Sequence, residues 1–432
     1  MPLSKGDEPM TYEEALAYIH SLPRFPDLGP MRALMRMLEN PQDELKTVHI
    51  AGTNGKGSTA AMTASILRAA GYKTGLYISP YIIDFRERIQ IDGEMIPKEA
   101  LAALTEELRP LSERAGGLTE FAFVTALAFL WFLRQKCEIC VIEVGLGGRL
   151  DATNVLKKPM LSVITKIGMD HTALLGDTVE AIAREKCGII KPGVRTVTCG
   201  GQDPDALAVI YEEAMLHGDG TVVQPNRSAV EGLYMEISGS DFIYNGYQIH
   251  LPLPGAYQID NALTAITVVD ELSRFSGFKG ACRFVGPGLA SVRFPARMEL
   301  MQHDPPVFLD GAHNPQGAAA LAQSLSLLGS RPITAVMGML ADKDSSGALE
   351  ILLPYFRRLI CVTPENSRAL SGAELSQRAA ALGADATSCE SLPAALKQAI
   401  AQARAEGGAA VVCGSLYLAS AARPYLLENS GD

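Results

Sequence analysis

The sequence predicts an α/β protein. A mostly parallel sheet with helices on both faces, carrying a small antiparallel sheet, is followed by a smaller α/β domain. Three observations predict this. Apolar strand-like runs alternate with helical periodicity from Val48 to about Cys187, and the alternation resumes beyond residue 296. Such crossovers are right-handed and give parallel pairing. Between the two patterns, residues 221–253 change to short alternating strands broken by Gly and Asn turns, which reads as an antiparallel sheet at the rim of the first domain. A chain of 432 residues accommodates two or three domains. Gly286-Pro287-Gly288 to Phe294-Pro295 is the best linker candidate, so domains are expected at 1–295 and 296–432.

In chain order, residues 11–40 look helical and then broken, with Pro23, Pro26 and Pro30 in a loop. Val48 to Ala51 is a buried strand, followed by a glycine-punctuated turn and a helix ending near Gly71. Lys73–Ile78 is a second strand. Arg88 to Ile96 alternates around Asp92-Gly93 and reads as a hairpin. Helical periodicity covers about 98–115 and 119–135. Strands follow at 140–144 and 161–166, and a helix at 178–187. A further helix starts near Gln258. Beyond the linker, strands are expected near 307–310, 333–338, 359–363 and 409–412.

Composition narrows the function classes. Hydrophobic residues make up 47% and charged residues 20%, ordinary for a chain with a sizeable core. The net charge of −10 argues against a general nucleic-acid or anionic-membrane surface, so a phosphate site must be locally basic. No apolar run reaches the ~18 residues that a bilayer span requires. Met1 to Met10 is polar and lacks a signal-peptide core. The eight cysteines are scattered, and only Cys137 and Cys140 make a C-x-x-C. With no second pair these read as buried thiols rather than a zinc or redox site, and a reducing cytoplasm fits.

The chemistry concentrates at Gly52-Thr53-Asn54-Gly55-Lys56-Gly57-Ser58-Thr59. Strand, glycine loop, lysine, hydroxyl and helix are the parts that hold a polyphosphate. Backbone N–H groups approach its oxygens, the helix N-terminus and Lys56 add positive charge, and a hydroxyl can ligate Mg²⁺. The spacing is a variant: Ile50 stands where the common pattern has Gly, and Gly57 separates Lys56 from Ser58. A plain strand-to-helix turn is the bland alternative.

Four more clusters fall where parallel strands are expected to end, which is where open α/β sheets bind ligands. Glu143 lies inside an apolar strand and precedes Gly145-Leu146-Gly147-Gly148-Arg149-Leu150-Asp151-Ala152-Thr153-Asn154. A buried carboxylate needs a partner, either a metal ion or a salt bridge. Asp170-His171 could ligate a metal, orient an imidazole or simply face solvent. Lys186 closes a helix and could merely complement its dipole. Arg297 and Asp310-Gly311-Ala312-His313-Asn314-Pro315 form the last, with Lys343 beyond them.

Together these residues resemble the folylpolyglutamate synthase/dihydrofolate synthase family within the Mur ligase group. The match runs from Val48 to Leu418 and keeps the family's order. Its pieces are Gly52 to Thr59, Ser79-Pro80, Glu87-Arg88-Ile89, Glu143 to Asn154, Asp170-His171, Glu185-Lys186, Arg297, Asp310 to Pro315, Lys343 and Gly414-Ser415-Leu416-Tyr417. The resemblance implies a phosphate-loop-type N-terminal domain and a Rossmann-like C-terminal one. It implies ATP-dependent transfer of L-glutamate onto a folate, and onto dihydropteroate, through an acyl phosphate, with ADP and phosphate released. Lys56, Glu143, His171 and Lys186 would be catalytic. Gly52 to Thr59, Asn261, Arg297, Asp310 and His313 would hold ATP. Ser58 would ligate a first Mg²⁺, and Ser79, Glu143, His171 and a carbamylated Lys186 a second; a monovalent cation is also implied. Phe85, Arg88, Asp151, Ala152, Thr153, Lys343 and Ser415 would face the folate and glutamate. A cytoplasmic monomer with small-molecule partners, and neither nucleic acid nor membrane, is expected.

Several flanking positions depart from the family pattern. Tyr81 stands for His, Ala122 for Glu, Tyr257 for His, and Phe294 and Ala296 replace the Trp and Gly of Trp-Pro-Gly-Arg. These bear on substrate range more than on reaction type. The competing readings are a ligase of the same fold acting on a non-folate acid, and a non-catalytic nucleotide-binding module.

Overall fold

The computed structural model describes residues 9–23, 28–275 and 277–429. Pro26 and the first eight residues lie outside them. The chain forms two compact units, Met1–Arg227 with Asn261–Gly288, and Ser228–Asp260 with Leu289–Asp432.

The first unit is built on an eight-stranded sheet. Its strands are β1 (Thr47–Ala51), β2 (Thr74–Tyr77), β3 (Ile89–Ile91), β4 (Glu94–Met95), β5 (Ile139–Glu143), β6 (Leu161–Ile164), β7 (Arg195–Thr198) and β8 (Val222–Val223). Their spatial order is β4-β3-β2-β5-β1-β6-β7-β8. Only β3 pairs antiparallel, with β2 and β4; the other pairs are parallel. Every residue of β1 and β5 is buried, as apolar runs covered on both faces by helices must be. The chain passes from β1 to β2 on one side and later extends through β6, β7 and β8 on the other, so the carboxyl end of β1 is the switch point. The β3–β4 hairpin turns at Asp92 and Gly93, both at positive φ, as a two-residue turn of this hand requires.

The helix Lys56–Ala69 follows the switch-point loop, with ten of its residues buried. On the other face, helices Tyr12–Ser21, Leu28–Met37, Lys98–Arg114 and Glu120–Arg134 enclose one apolar cluster that includes Ile19, Met31, Leu34, Phe123, Phe129 and Phe132. Pro30, expected in a loop, instead lies in the first turn of Leu28–Met37, where a missing N–H costs nothing. The helix Pro204–His217 and β7 were not legible as separate elements.

The antiparallel sheet has order β11-β10-β9, from β9 (Val230–Glu236), β10 (Gly239–Tyr244) and β11 (Tyr247–Leu251). It groups with the second unit rather than the rim of the first, because Ile237 packs on the second unit's apolar core. Val222 and Val223, read as part of this sheet, pair parallel with β7 instead. The linker candidate is also partly structured. Val285–Ala290 is helical, and Ser65 Oγ donates to the Gly288 carbonyl at 2.7 Å.

The second unit's main sheet runs β12-β13-β17-β14-β15-β16, from β12 (Glu299–His303), β13 (Pro306–Leu309), β14 (Ile333–Met337), β15 (Arg358–Cys361), β16 (Ala386–Ser388) and β17 (Ala409–Cys413). Only β12 is antiparallel. Its core includes Phe308, Leu321, Met337, Leu349 and Leu375. All eight cysteines are free, with Cys137 half-buried and Cys140 buried. No helix among the described residues is long and apolar enough to cross a membrane.

Phe129 is fully buried in the helical layer. Phe129→Ala removes its contacts and leaves a cavity, at a cost of about 3–5 kcal/mol. A lowered urea midpoint for the first unit, with the second unit's transition unmoved, is the expected result.

Candidate active site

The loop after β1 is held by its own backbone. Thr53 and Asn54 N–H groups donate to the Lys166 carbonyl at 2.9 and 3.1 Å. The Thr53 hydroxyl donates to the Gly168 carbonyl at 2.9 Å and accepts from Gly168 N–H at 3.1 Å. Gly55 opens the helix at φ +84, and a Cβ there would sit 2.3 Å from Asn261 Oδ1. Only glycine fits, and Asn261 packs against the loop at this point. Lys56 begins the helix and donates to the Thr53 carbonyl at 3.1 Å; Ser58, two residues on, is buried. The first-turn N–H groups and Lys56 gather positive potential at one point.

Glu143 ends β5 and pairs in register with Ile50, so it lies beside the loop. It is 3% exposed, and its Oε2 accepts from Ser79 N–H at 2.9 Å. Ser79 thus meets Glu143 through its backbone N–H. The following loop is organised by Asp151. Its Oδ2 accepts from Gly145 and Leu146 N–H, and its Oδ1 from Thr153 N–H and the Thr153 hydroxyl, the last at 2.5 Å. Burial raises the Asp151 carboxyl above its ordinary range, against the pull of these four donors. Behind it, His49 Nε2 meets Thr153 Oγ1 at 2.8 Å. Burial pushes the His49 imidazole down to about 3, so it stays neutral. Since Thr153 donates to Asp151, His49 Nε2 carries the hydrogen. His49 was not singled out from sequence, because one histidine in an apolar strand gives no signal of its target.

Lys186 is not a surface dipole complement. It is 4% exposed, and its Nζ donates to the Gly52 carbonyl at 2.9 Å. Burial first, and the like charge of Lys56 second, lower it to about 7, with Asp170 and Asp151 opposing. Its amine is thus substantially neutral near pH 7 and nucleophilic. His171 stands at φ +51 before a one-turn helix, and its N–H donates to Asp170 Oδ1 at 2.8 Å. Its ring is about 40% exposed and lies 3.9 Å from the same oxygen. Gln202 fixes this segment by accepting from Ile167 N–H and donating to the Thr165 carbonyl. It too was missed, being 35 residues away in sequence from the backbone it holds.

Phe85 is buried, and the Arg88 guanidinium lies over the rings of Tyr81 and Phe85 at 5.2 and 5.5 Å. Tyr81, a departure from the family pattern, therefore contributes an aromatic face to this corner. Glu87 shapes the approach, accepting from Ile82, Ile83 and Asp84 N–H groups.

The second unit carries its own constellation. Asp310 follows β13, is 4% exposed, and accepts from Met298 N–H at 2.9 Å and Ala312 N–H at 2.8 Å. Burial raises its carboxyl, with Arg297 pulling the other way. Arg297 stacks over Phe294 at 5.5 Å. His313 Nδ1 meets the Gly311 carbonyl at 2.9 Å, which places the hydrogen on Nδ1 and leaves Nε2 an acceptor when the ring is neutral. Asn314 caps the helix Pro315–Leu325 by accepting from Gly317 N–H. Tyr257 lies near Asp310 and Arg297, and burial pushes its phenol well up. Lys343 sits in the loop before the helix Ser345–Leu352. Ser415 is buried and accepts from Leu418 N–H at 3.1 Å, a helix-capping bond.

Residues 50–269 match the family model of the Mur ligase middle domain, and residues 296–416 that of the Mur ligase glutamate ligase domain. Fold and site thus define a ligase of the Mur class. The chain is 37% identical over 433 residues to folylpolyglutamate synthase of Lacticaseibacillus casei, covering 97% of this chain and 99% of that one. It is 38% identical over 358 residues to dihydrofolate synthase/folylpolyglutamate synthase of Bacillus subtilis, covering 79% and 82%. Its structure is similar to Mycobacterium tuberculosis folylpolyglutamate synthase complexed with ADP, with TM-score 0.87 and 32% identity over 97% of this chain and 99% of that one. It is also similar to an FPGS–AMPPCP–folate complex, with TM-score 0.82 and 36% identity over 97% and 100%. The chain belongs to the folylpolyglutamate synthase/dihydrofolate synthase family of Mur ligases.

The buried Lys186 makes a signed pH prediction. Its folded value, about 7, lies below the ordinary lysine value, so its burial penalty is fully present below pH 7 and fades as pH rises toward that ordinary value. Lys186→Met is therefore expected to gain stability over wild type at pH 6 and to lose that advantage by pH 10. Urea midpoints at the two pH values measure it.

Proposed function

We infer that this chain is an ATP-dependent ligase that adds L-glutamate to folates, and to dihydropteroate, through an acyl phosphate. The observation that carries this reading is the Gly52–Ser58 loop at the sheet's switch point, with the Glu143 carboxylate on the adjacent strand and the Lys186 amine bonded to the loop itself. Relatives named for both activities support the two acceptor acids.

An oxygen of the acid's carboxylate attacks the γ-phosphorus of ATP. The new O–P bond replaces the bond to the β-phosphate oxygen, and ADP leaves. The amine of glutamate attacks the acyl carbon, the carbon–oxygen bond to phosphate breaks, and the amine's proton passes to the departing phosphate. Lys56 and the first-turn N–H groups offset phosphate charge as it shifts toward the leaving ADP. Arg297, Asp310 and His313 are assigned to nucleotide binding, Asn261 to the loop's rear wall, and Phe85, Arg88 and the Asp151–Thr153 turn to the folate side. Lys343 and Ser415 are assigned to the glutamate side; the Ser415 hydroxyl already caps a helix, so its contribution would come through the backbone it fixes. This assignment rests on domains at 1–295 and 296–432, the second boundary supported by the start of the glutamate ligase match at 296.

Hard oxygen donors suit Mg²⁺, and the Ser58 hydroxyl and Glu143 carboxylate are such donors. Among the described residues no group of three or more His, Cys, Asp or Glu could hold a metal, so the remaining ligands must come from phosphate, water, Ser79, His171 and modified Lys186. A bound Mg²⁺ would supply charge neutralisation at the phosphates. Lys186 fits carbamylation, since its amine is neutral enough near pH 7 to add to carbon dioxide, and the product is anionic. A monovalent cation, a monomeric state and a cytoplasmic location complete the proposal; eight free thiols support the last.

Incubation with ATP, Mg²⁺, glutamate and either tetrahydrofolate or dihydropteroate tests the reading. Glutamylated product with stoichiometric ADP is expected, and absence of product from both acids overturns it. Lys56→Ala is expected to lower kcat by about 10²–10³-fold, the usual cost of losing one preorganised charge. Incubation with ¹³C-bicarbonate should give a carbamate resonance that Lys186→Ala removes, and short carboxylates should partly restore that variant's activity.

A further inference from the structure

A cavity of about 490 Å³ in the first unit lies at the amino ends of β1 and β6. The phosphate loop lies at the opposite end of β1, about 17 Å away along a five-residue strand. Its volume falls within the range of small-molecule sites. Arg32, Arg36, Lys157 and Lys191 line it, and Met35 and Leu156 give it apolar surface. No carboxylate lines it. Lys157 pairs with Asp43 at 2.5 Å, but among the described residues no ion pair engages Arg32 or Arg36. Burial and the like charge of Arg32 lower Lys191 to about 8. Such crowding of cations, in a chain of net charge −10, is unfavourable without an anion between them. The amide residues Gln42 and Asn154 also line it. The side-chain nitrogen of Gln42 is directed to Asn40 and Asp43, and that of Asn154 donates to the Arg149 and Gly188 carbonyls. The side-chain oxygens of both are enclosed and have no hydrogen-bond partner.

We propose that this cavity binds an oligo-γ-glutamyl chain, a small polycarboxylate with methylene spacers and amide N–H groups. The carboxylates meet Arg32, Arg36 and Lys191, and the methylenes cover Met35 and Leu156. Inorganic phosphate would satisfy the cations alone. The inference rests on the reading of this chain as a glutamate-adding ligase, because such an enzyme generates this chemistry. It gives the enzyme a place away from the reacting atoms at which product length can be sensed.

Isothermal titration of the full chain with tri-γ-glutamate, which lacks the pteridine, tests it. Wild type and Lys56→Ala are expected to bind alike, and Arg32→Gln and Lys191→Gln about tenfold more weakly, the loss expected for one charge-assisted contact. Inorganic phosphate at equal ionic strength is expected to bind at least about tenfold more weakly than tri-γ-glutamate. Equal affinity across the variants, loss confined to Lys56→Ala, no binding to wild type, or phosphate matching the peptide would each overturn the proposal. Should Arg32→Gln fail to fold, the exposed Arg36 provides Arg36→Gln in its place. Glutamylation of folate by a wild type that ignores tri-γ-glutamate defeats this inference alone; failure of glutamylation itself defeats the function assigned above.

Discussion

One hydrogen bond, from the buried Lys186 amine to the Gly52 carbonyl, links the end of a helix to the loop after β1. The loop could not hold its shape by local bonding alone. Its N–H groups turn to the Lys166 carbonyl after β6, Lys56 turns back to Thr53, and Asn261 closes the space beside Gly55. Lys186 adds the connection to the Glu143–Asn154 side, because Gly148 and Arg149 pack against the same helix end. A cation in this position is costly, and the cost appears as its lowered proton affinity. The same strain that weakens the ammonium makes the amine available for chemistry.

Burial decides the character of the other acids too. Asp151 and Asp310 are both enclosed, both accept from backbone N–H groups, and both have raised carboxyl values in which desolvation outweighs those donors. The donors of Asp151 come from residues close in sequence, so that carboxylate folds its own turn, whereas Asp310 also reaches back twelve positions to Met298. Glu143 differs: it reaches across strands to Ser79, and so couples two segments distant in sequence.

Much of this was legible in the chain because it is local. The strand–loop–helix at Val48, the Asp92-Gly93 hairpin, the Thr178 cap and the Pro315 helix start each follow from a few neighbouring residues. What escaped was non-local. β7 and β12 are short strands whose pairing partners, not their own composition, define them. Pro30 reads as a breaker until the start of its helix is known. The antiparallel sheet was legible as a sheet, but Ile237's choice of core was not. In the candidate site, the residues proposed came from the resemblance, whereas Gln202 and His49 act through partners 35 and 104 positions away.

The four donors gathered on Asp151 have a thermodynamic consequence. A glycine-rich turn left to itself would sample many shapes, and a ligand arriving there would have to freeze them. Here the carboxylate has already removed that freedom during folding. A molecule docking on this face would therefore draw little configurational entropy loss from the protein, and would meet a rigid outline rather than an adaptable one.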